Sequence, residues 1–364
     1  MRQRRGRTVE IETLAEFDRH VARGATSMDG WRLQAVDLSA RTEVLRGLDP
    51  RGSLFLGCRL EDAAEDDLRK RGALLFPAVP EVPFDAYRGS LYTPGELYDG
   101  LARSYAATAD ARIYAWARQR DGDLQRSLAR TLHDLAIDDA LEEFVAGRRM
   151  VGVMGGHALE RGSAGYADAA RLGRSLARAG LTVATGGGPG AMEAANLGAF
   201  LSAEDDYALD EALRVVAAVP AFRPSVGRWA TAAFEVHERW PVGADSLGIP
   251  TWFYGHEPPN PFATRIAKYF GNAIREDVLL HVCRAGIVFL PGEGGTVQEI
   301  FQDACENFYA DASAVAPMVL VGTGYWTDEV PAWPLLESLA RGREMAGKVA
   351  LVDDLAEVAP LLAR

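Results

Sequence analysis

Two glycine-rich segments, Gly186-Gly187-Gly188-Pro189-Gly190 and Pro291-Gly292-Glu293-Gly294-Gly295-Thr296, do most to limit what this chain can fold into. Each follows a short apolar run and precedes a stretch with helical spacing. Leu181–Thr185 runs into the first and Gly286–Leu290 into the second. A short apolar run bounded by glycine suits a buried parallel strand. A glycine-rich turn from strand to helix lets backbone amides approach an oxyanion, and the helix start adds partial positive charge. Two such turns on one sheet edge point to a ligand that carries phosphate.

The alternation continues on both sides. Arg149–Gly155 reads as another strand, and Tyr166–Ala179 as a helix stopped by Gly180. Ala191–Phe200 reads as a helix and Val215–Pro220 as a third strand; residues 221–260 read as irregular, and Pro261 to Cys283 as one long helix. After the second loop come a helix over Thr296–Phe308, a strand over Met318–Val321, a helix over Glu329–Ala340, a strand over Val349–Val352 and a terminal helix. Strands alternating with helices predict a Rossmann-like, doubly wound parallel sheet over residues 148–364. In such sheets ligands bind beyond the carboxyl ends of the strands, where strand order reverses. Ahead of it, residues 1–147 hold apolar runs at Leu33–Leu38, Ser53–Cys58 and Ala73–Val79, and helical stretches at Pro94–Ala107 and Leu124–Val145. They read as a smaller α/β domain with no fixed-period repeat.

Composition narrows the function. The 364 residues are 48% hydrophobic and 25% charged, an ordinary globular balance. A net charge of -12 argues against a general nucleic-acid or anionic-membrane surface, and the basic tail Arg2, Arg4, Arg5, Arg7 is given no role. The three cysteines, Cys58, Cys283 and Cys305, are far apart and suggest neither a disulfide framework nor a zinc site. With no signal-like or membrane-length apolar run, a cytoplasmic location is expected.

The first loop satisfies G-x-G-x-x-A at Gly186, Gly188 and Ala191, but it follows the second strand of its domain and no acidic residue ends the next one. A dinucleotide fingerprint needs both features. In the second loop, Thr296 and Glu299 fit a capping box as well as they fit a site. Arg265, Lys268, Asn272, Arg275 and Leu279 share one helical face, either a solvated cationic face or a basic wall over a phosphate. His157, just past the first strand, is either a ligand contact or an ordinary loop histidine. A pyridoxal enzyme would need a Schiff-base lysine, and Lys268 has no recognisable cofactor motif around it.

These residues resemble the LOG family, the cytokinin-activating phosphoribohydrolases once labelled lysine decarboxylases. The resemblance lies in Val151–Gly156, Tyr166, Gly186–Met192, Val215–Pro220, Arg275 and Pro291–Glu299, and covers roughly residues 150–322. Trp252-Phe-Tyr-Gly255 and Ile274-Arg-Glu-Asp277 look more like the larger bacterial nucleotide 5′-monophosphate nucleosidases. The implied reaction is hydrolysis of the N-glycosidic bond of a nucleoside 5′-monophosphate to free base and ribose 5-phosphate. The resemblance implies catalytic roles for Arg275 and Glu299. It implies a phosphate and nucleotide site from Gly155, Gly156, Gly186, Gly187, Gly188, Gly190, Met192, Pro291, Gly292, Gly294, Gly295 and Thr296. It implies no metal or cofactor, and a homo-oligomer, a dimer or higher. Glu293 stands where the family has its second glycine, and Arg275 and Glu299 lie one residue further apart than in the small LOG enzymes. Pro-Gly-Glu-Gly-Gly-Thr is also similar to the segment of related molybdenum-cofactor carriers, so a non-catalytic nucleotide or cofactor carrier is the alternative.

Overall fold

The computed structural model describes residues 9–119, 124–253 and 257–362. The basic tail at residues 2–7 and Tyr254-Gly255 lie outside the described residues. The chain divides into two compact units, Met1–Ser90 with Gln119–Ala140, and Leu91–Arg118 with Leu141–Arg364. Residues 91–118, read above with the N-terminal domain, therefore pack with the second unit.

The first unit carries a four-stranded parallel sheet in sequence order: β1 (Val9–Ile11), β2 (Trp31–Gln34), β3 (Leu54–Leu56) and β4 (Leu74–Phe76). Val9 pairs with Trp31, Arg32 with Leu54 and Leu54 with Leu74, so each strand follows the last by about 20 residues. The order is that of a short β–α repeat. Its period escapes a reading of composition because the strands are only three or four residues long. The core beneath them includes Phe17, Met28, Leu33, Leu45, Phe55 and Leu68.

The second unit is Rossmann-like. Seven strands, β5 (Met150–Met154), β6 (Thr182–Thr185), β7 (Leu247–Gly248), β8 (Arg265–Ile266), β9 (Ile287–Phe289), β10 (Met318–Val321) and β11 (Val349–Val352), pair in the order β11-β10-β9-β5-β6-β7-β8. Every pairing is parallel. From β5 the chain first winds one way, to β6, β7 and β8, and later returns to the other side of β5 as β9. Strand order reverses there, between β5 and β9, where an open sheet leaves a crevice.

Five expected elements differ. Val215–Pro220 is not a strand: Val215 and Val216 close the helix Asp206–Ala217, whose buried face also carries Ala208, Leu209 and Ala212. A short apolar run does not by itself distinguish a strand from a helix end. Residues 221–260 are not irregular throughout, since they contain the helix Val226–Arg239 and β7. The long helix from Pro261 is also absent. Residues 261–270 are buried almost without break, which a one-faced helix cannot be, and they form β8 and flanking turns before a helix over Asn272–Val282. Near the C-terminus, Tyr325–Glu329 is a separate π-helical turn and the helix proper is Ala332–Ala340. In residues 91–118, Pro94–Ala107 holds only a short helix, Pro94–Leu97, and a 3₁₀ turn. Among the described residues no helix is long and apolar enough to cross a membrane.

That redrawing takes Lys268 off the supposed cationic face. Lys268 is 1% exposed, and its Nζ lies 2.7 Å from Asp110 Oδ1, which also accepts from Trp252 Nε1 at 2.8 Å. Tyr105 Oη donates to the other oxygen of Asp110 at 2.7 Å. A buried charge pair with its remaining lone pairs satisfied is a structural clamp, and removing one partner strands the other. Lys268→Met is expected to lower unfolding stability by about 3–5 kcal/mol in urea titrations; a loss under about 1 kcal/mol would contradict the clamp.

The helices Ala164–Arg178 and Ala191–Phe200 touch backbone to backbone. A Cβ on Gly198 would overlap the Ala170 carbonyl, and one on Gly173 would overlap the Ala195 carbonyl. Alanine gains up to about 1 kcal/mol of helix propensity over glycine, but overpacking here outweighs it. Gly198→Ala should destabilise the protein by about 1–3 kcal/mol or more, measured as a lower urea midpoint at unchanged m-value.

Candidate functional site

The carboxyl ends of β6, β5 and β9 lie side by side, and their loops enclose a cavity of about 720 Å³. Gly155, Gly156, Gly186, Gly187, Gly188 and Met192 line it from β5 and β6, and Pro291, Gly292, Gly294, Gly295 and Thr296 from β9. Arg275 and Glu299 reach it from the helices Asn272–Val282 and Gly294–Tyr309. Gly190 alone of the expected residues lies outside, on the wall of a neighbouring cavity.

Each loop is held by hydrogen bonds rather than left free. Gly156 N donates to the Pro291 carbonyl at 3.0 Å, and its carbonyl accepts from Ala191 N at 3.1 Å. Gly190 has φ +75°, and a Cβ there would overlap the Gly156 carbonyl. Below the first loop, Thr185 Oγ1 accepts from Gly187 N at 3.1 Å and donates to Asn196 Oδ1 at 2.7 Å. Asn260 donates to the same Asn196 oxygen at 2.8 Å, while its backbone N–H donates to the Gly187 carbonyl at 2.9 Å. In the second loop, Tyr325 Oη donates to the Gly292 carbonyl at 2.8 Å.

No side chain caps the helix Ala191–Phe200 or the helix Gly294–Tyr309. The capping box expected from Thr296 and Glu299 does not form. The helix starts at Gly294 with Glu293 as its N-cap, which places Thr296 inside the first turn. The first N–H groups of a helix have no partner within it, and Cβ positions on Gly294 and Gly295 would meet nothing within 4 Å. An uncapped, glycine-lined helix start on a cavity wall is suited to an anion.

Glu299 and Arg275 supply the opposing charges. Burial pushes the Glu299 carboxyl up to about 7; the Arg275 cation pulls it down and Glu276 pushes it up again. Arg275 Nε is buried without a hydrogen-bond partner, and its Nη1 lies 3.7 Å from the place of a Cβ on Gly186. One arginine therefore lies beside the first loop and within the electrostatic surroundings of Glu299. Glu276 accepts from Asn272 Nδ2 at 2.8 Å and from Gln298. A carboxyl that titrates near neutrality inside a cavity can take or give a proton.

Sequence reasoning missed Tyr325, Glu276, Gln298 and Glu257, all on the cavity wall. Tyr325 follows β10, so its place beyond a strand's carboxyl end was the available signal. His157 lines the cavity too, 3.9 Å from Glu257. Among the described residues no group of His, Cys, Asp and Glu could hold a metal ion.

Residues 148–203, from β5 through the helix after the first loop, match the SLOG cluster4 family. Among solved structures the chain is similar to the molybdenum cofactor binding protein of Rippkaea orientalis, with 16% identity over 59% of this chain and 96% of that one and a TM-score of 0.36. It is also similar to the Moco carrier protein of Chlamydomonas reinhardtii, with 20% identity over 59% of this chain and 98% of that one and a TM-score of 0.34. No curated protein matches the chain significantly.

Glu299 has a buried neighbour one turn on. Asp303 is 5% exposed, its Oδ2 has no partner, and burial pushes its carboxyl up to about 8. Both groups bind protons more tightly folded than at the ordinary carboxyl values of 4.5 and 3.8. Their contribution therefore favours the folded chain below the ordinary range and is lost as pH rises to about 7 and 8. Asp303→Asn should flatten the decline in urea midpoint between about pH 4 and about pH 8. An unchanged slope would show that Asp303 titrates normally.

Proposed function

We propose that this protein hydrolyses the N-glycosidic bond of a nucleoside 5′-monophosphate, releasing free base and ribose 5-phosphate. The observation that carries the reading is Glu299, a carboxyl pushed up to about 7 in a cavity that it shares with Arg275 and the uncapped start of the helix Gly294–Tyr309. The 5′-phosphate would sit on the amides of Gly294, Gly295 and Thr296, where helix charge and glycine access coincide. Arg275 would face the ribose and steady the ionised form of Glu299. The C1′–N bond breaks with its electron pair going to the base nitrogen, which takes up a proton. Water adds its oxygen to C1′ and gives a proton to the Glu299 carboxylate, which returns it through solvent to balance the proton that the base nitrogen takes up. A carboxylate beside an oxocarbenium-like centre stabilises that charge, as in glycosidases.

A base that must be ionised makes activity rise with pH through its own titration. Across a panel of monophosphates, at least one should yield free base by chromatography, with kcat/KM rising along an acid limb near pH 7. Glu299→Gln should lose at least about a hundredfold in turnover while still binding that nucleotide. Tight binding of a monophosphate without base release would instead support a nucleotide or cofactor carrier, the alternative that Glu293 in the second loop leaves open.

A further inference from the structure

A second cavity, of about 340 Å³, adjoins the first, and His157, Ala158, Leu159 and Glu257 form part of both walls. The two differ in chemistry. The wall of the first is glycine, proline and charge; among the described residues its rings are His157 and Tyr325, and the Tyr325 hydroxyl is bound to Gly292. The wall of the second includes Phe222, Arg223 and Trp229, from the segment that follows Pro220.

Contacts bury Trp229 and leave Phe222 partly exposed. Trp229 is 1% exposed, and the Arg161 guanidinium lies 4.3 Å from its ring centroid. Arg161 is itself fixed by Glu193, with Nε to Oε1 at 3.0 Å, and by donation to the Trp229 carbonyl at 2.8 Å. Phe222 meets Trp229 edge to face, with centroids 6.4 Å apart and planes at 73°. Phe222 is only half-buried, and the exposed Arg223 places its guanidinium 5.6 Å from the Phe222 centroid. A phenyl ring backed by a locked indole and flanked by a guanidinium is a stacking platform for a planar heterocycle.

We propose that this second cavity receives the base of the nucleotide, stacked on Phe222 beside Arg223, while phosphate and ribose occupy the first. The proposal rests on the hydrolase reading of the first cavity and adds the residues that select the base. The leaving group then departs into a compartment separate from the phosphate cradle. The His157–Glu257 pair stands on the shared wall between the two.

Ribose 5-phosphate lacks a base, so it separates the two compartments experimentally. Affinities of the full chain for the preferred monophosphate and for ribose 5-phosphate are measured by calorimetry, alongside KM for a purine and pyrimidine panel. Phe222→Ala should weaken the monophosphate by about tenfold or more and alter the ranking of bases, while ribose 5-phosphate binds as before. Phe222→Tyr should restore both. Arg223→Ala, at an exposed position, should change the ranking in the same way without risk to the fold. Retained ribose 5-phosphate binding reports a folded first cavity in each variant. If base release proceeds with unchanged KM and ranking in Phe222→Ala and Arg223→Ala, the second cavity does not hold the base and the hydrolase reading stands alone. If the unmodified chain neither binds nor cleaves any monophosphate, the hydrolase reading fails and this proposal falls with it.

Discussion

The site depends on one residue, Gly156, that ties two loops together. Its N–H holds the β9 loop through Pro291, and its carbonyl holds the start of the helix after the β6 loop through Ala191. This is possible only because β5 lies between β6 and β9, where the winding direction reverses. The close approach leaves no room for side chains. A Cβ on Gly190 would overlap the Gly156 carbonyl, and one on Gly292 would lie 3.0 Å from the Gly156 N–H. The glycines therefore serve contact between loops as much as contact with a ligand. Because the loops brace each other, the uncapped start of the helix Gly294–Tyr309 is held in place by the fold, and an anion of the proposed kind would need little further ordering to bind there.

Buried charge is handled in two ways in this fold. Arg161 with Glu193, and Lys268 with Asp110, are closed arrangements in which each ion faces an opposite charge; Arg161 also donates to the Trp229 carbonyl and Asp110 also accepts from Trp252 and Tyr105. Glu299 and Asp303 are not closed. Glu299 has Arg275 nearby but also Glu276, and Asp303 keeps an oxygen without a partner. An unbalanced buried carboxyl costs stability that the rest of the fold must supply. Such costs concentrate where chemistry needs a shifted carboxyl. Glu299 opens onto the cavity, where the proposed hydrolysis would use it, whereas Asp303 is not on the cavity wall.

The parts legible in the sequence are those with either length or punctuation. β5, β6 and β9–β11 are apolar runs whose ends are marked by glycine, proline or a following helix, and each lies within a residue or two of its expected place. β7 and β8 have two residues each and leave no periodic trace; they hold position through pairing with each other and through the bridge between Tyr92 and Ile266. The cationic face failed for a related reason. Arg265, Lys268 and Arg275 stand at helical spacing, yet Arg265 lies in an edge strand and Lys268 is drawn inward by Asp110, a residue far away in sequence. Only Arg275 remained on a helix facing the cavity. The paired loops were readable because glycine is informative wherever backbones must touch.

Glu293 is the residue at which loop geometry and electrostatics pull in opposite directions. It occupies the N-cap position with φ -91° and ψ -152°, an extended conformation open to any residue, so glycine is not needed there for backbone reasons. Its side chain makes no capping hydrogen bond, and so does not compete with a ligand for the amides of the first turn. The residue is exposed, and its charge helps to raise the Tyr325 phenol, after burial and Glu329. An exposed carboxylate acts on a phosphate through water, screened over about 8–10 Å at ordinary ionic strength. The amides act at contact in a fixed direction. On the proposed reading, Glu293 in place of the expected glycine would leave the cradle's geometry intact and subtract a salt-dependent repulsion from its affinity for phosphate.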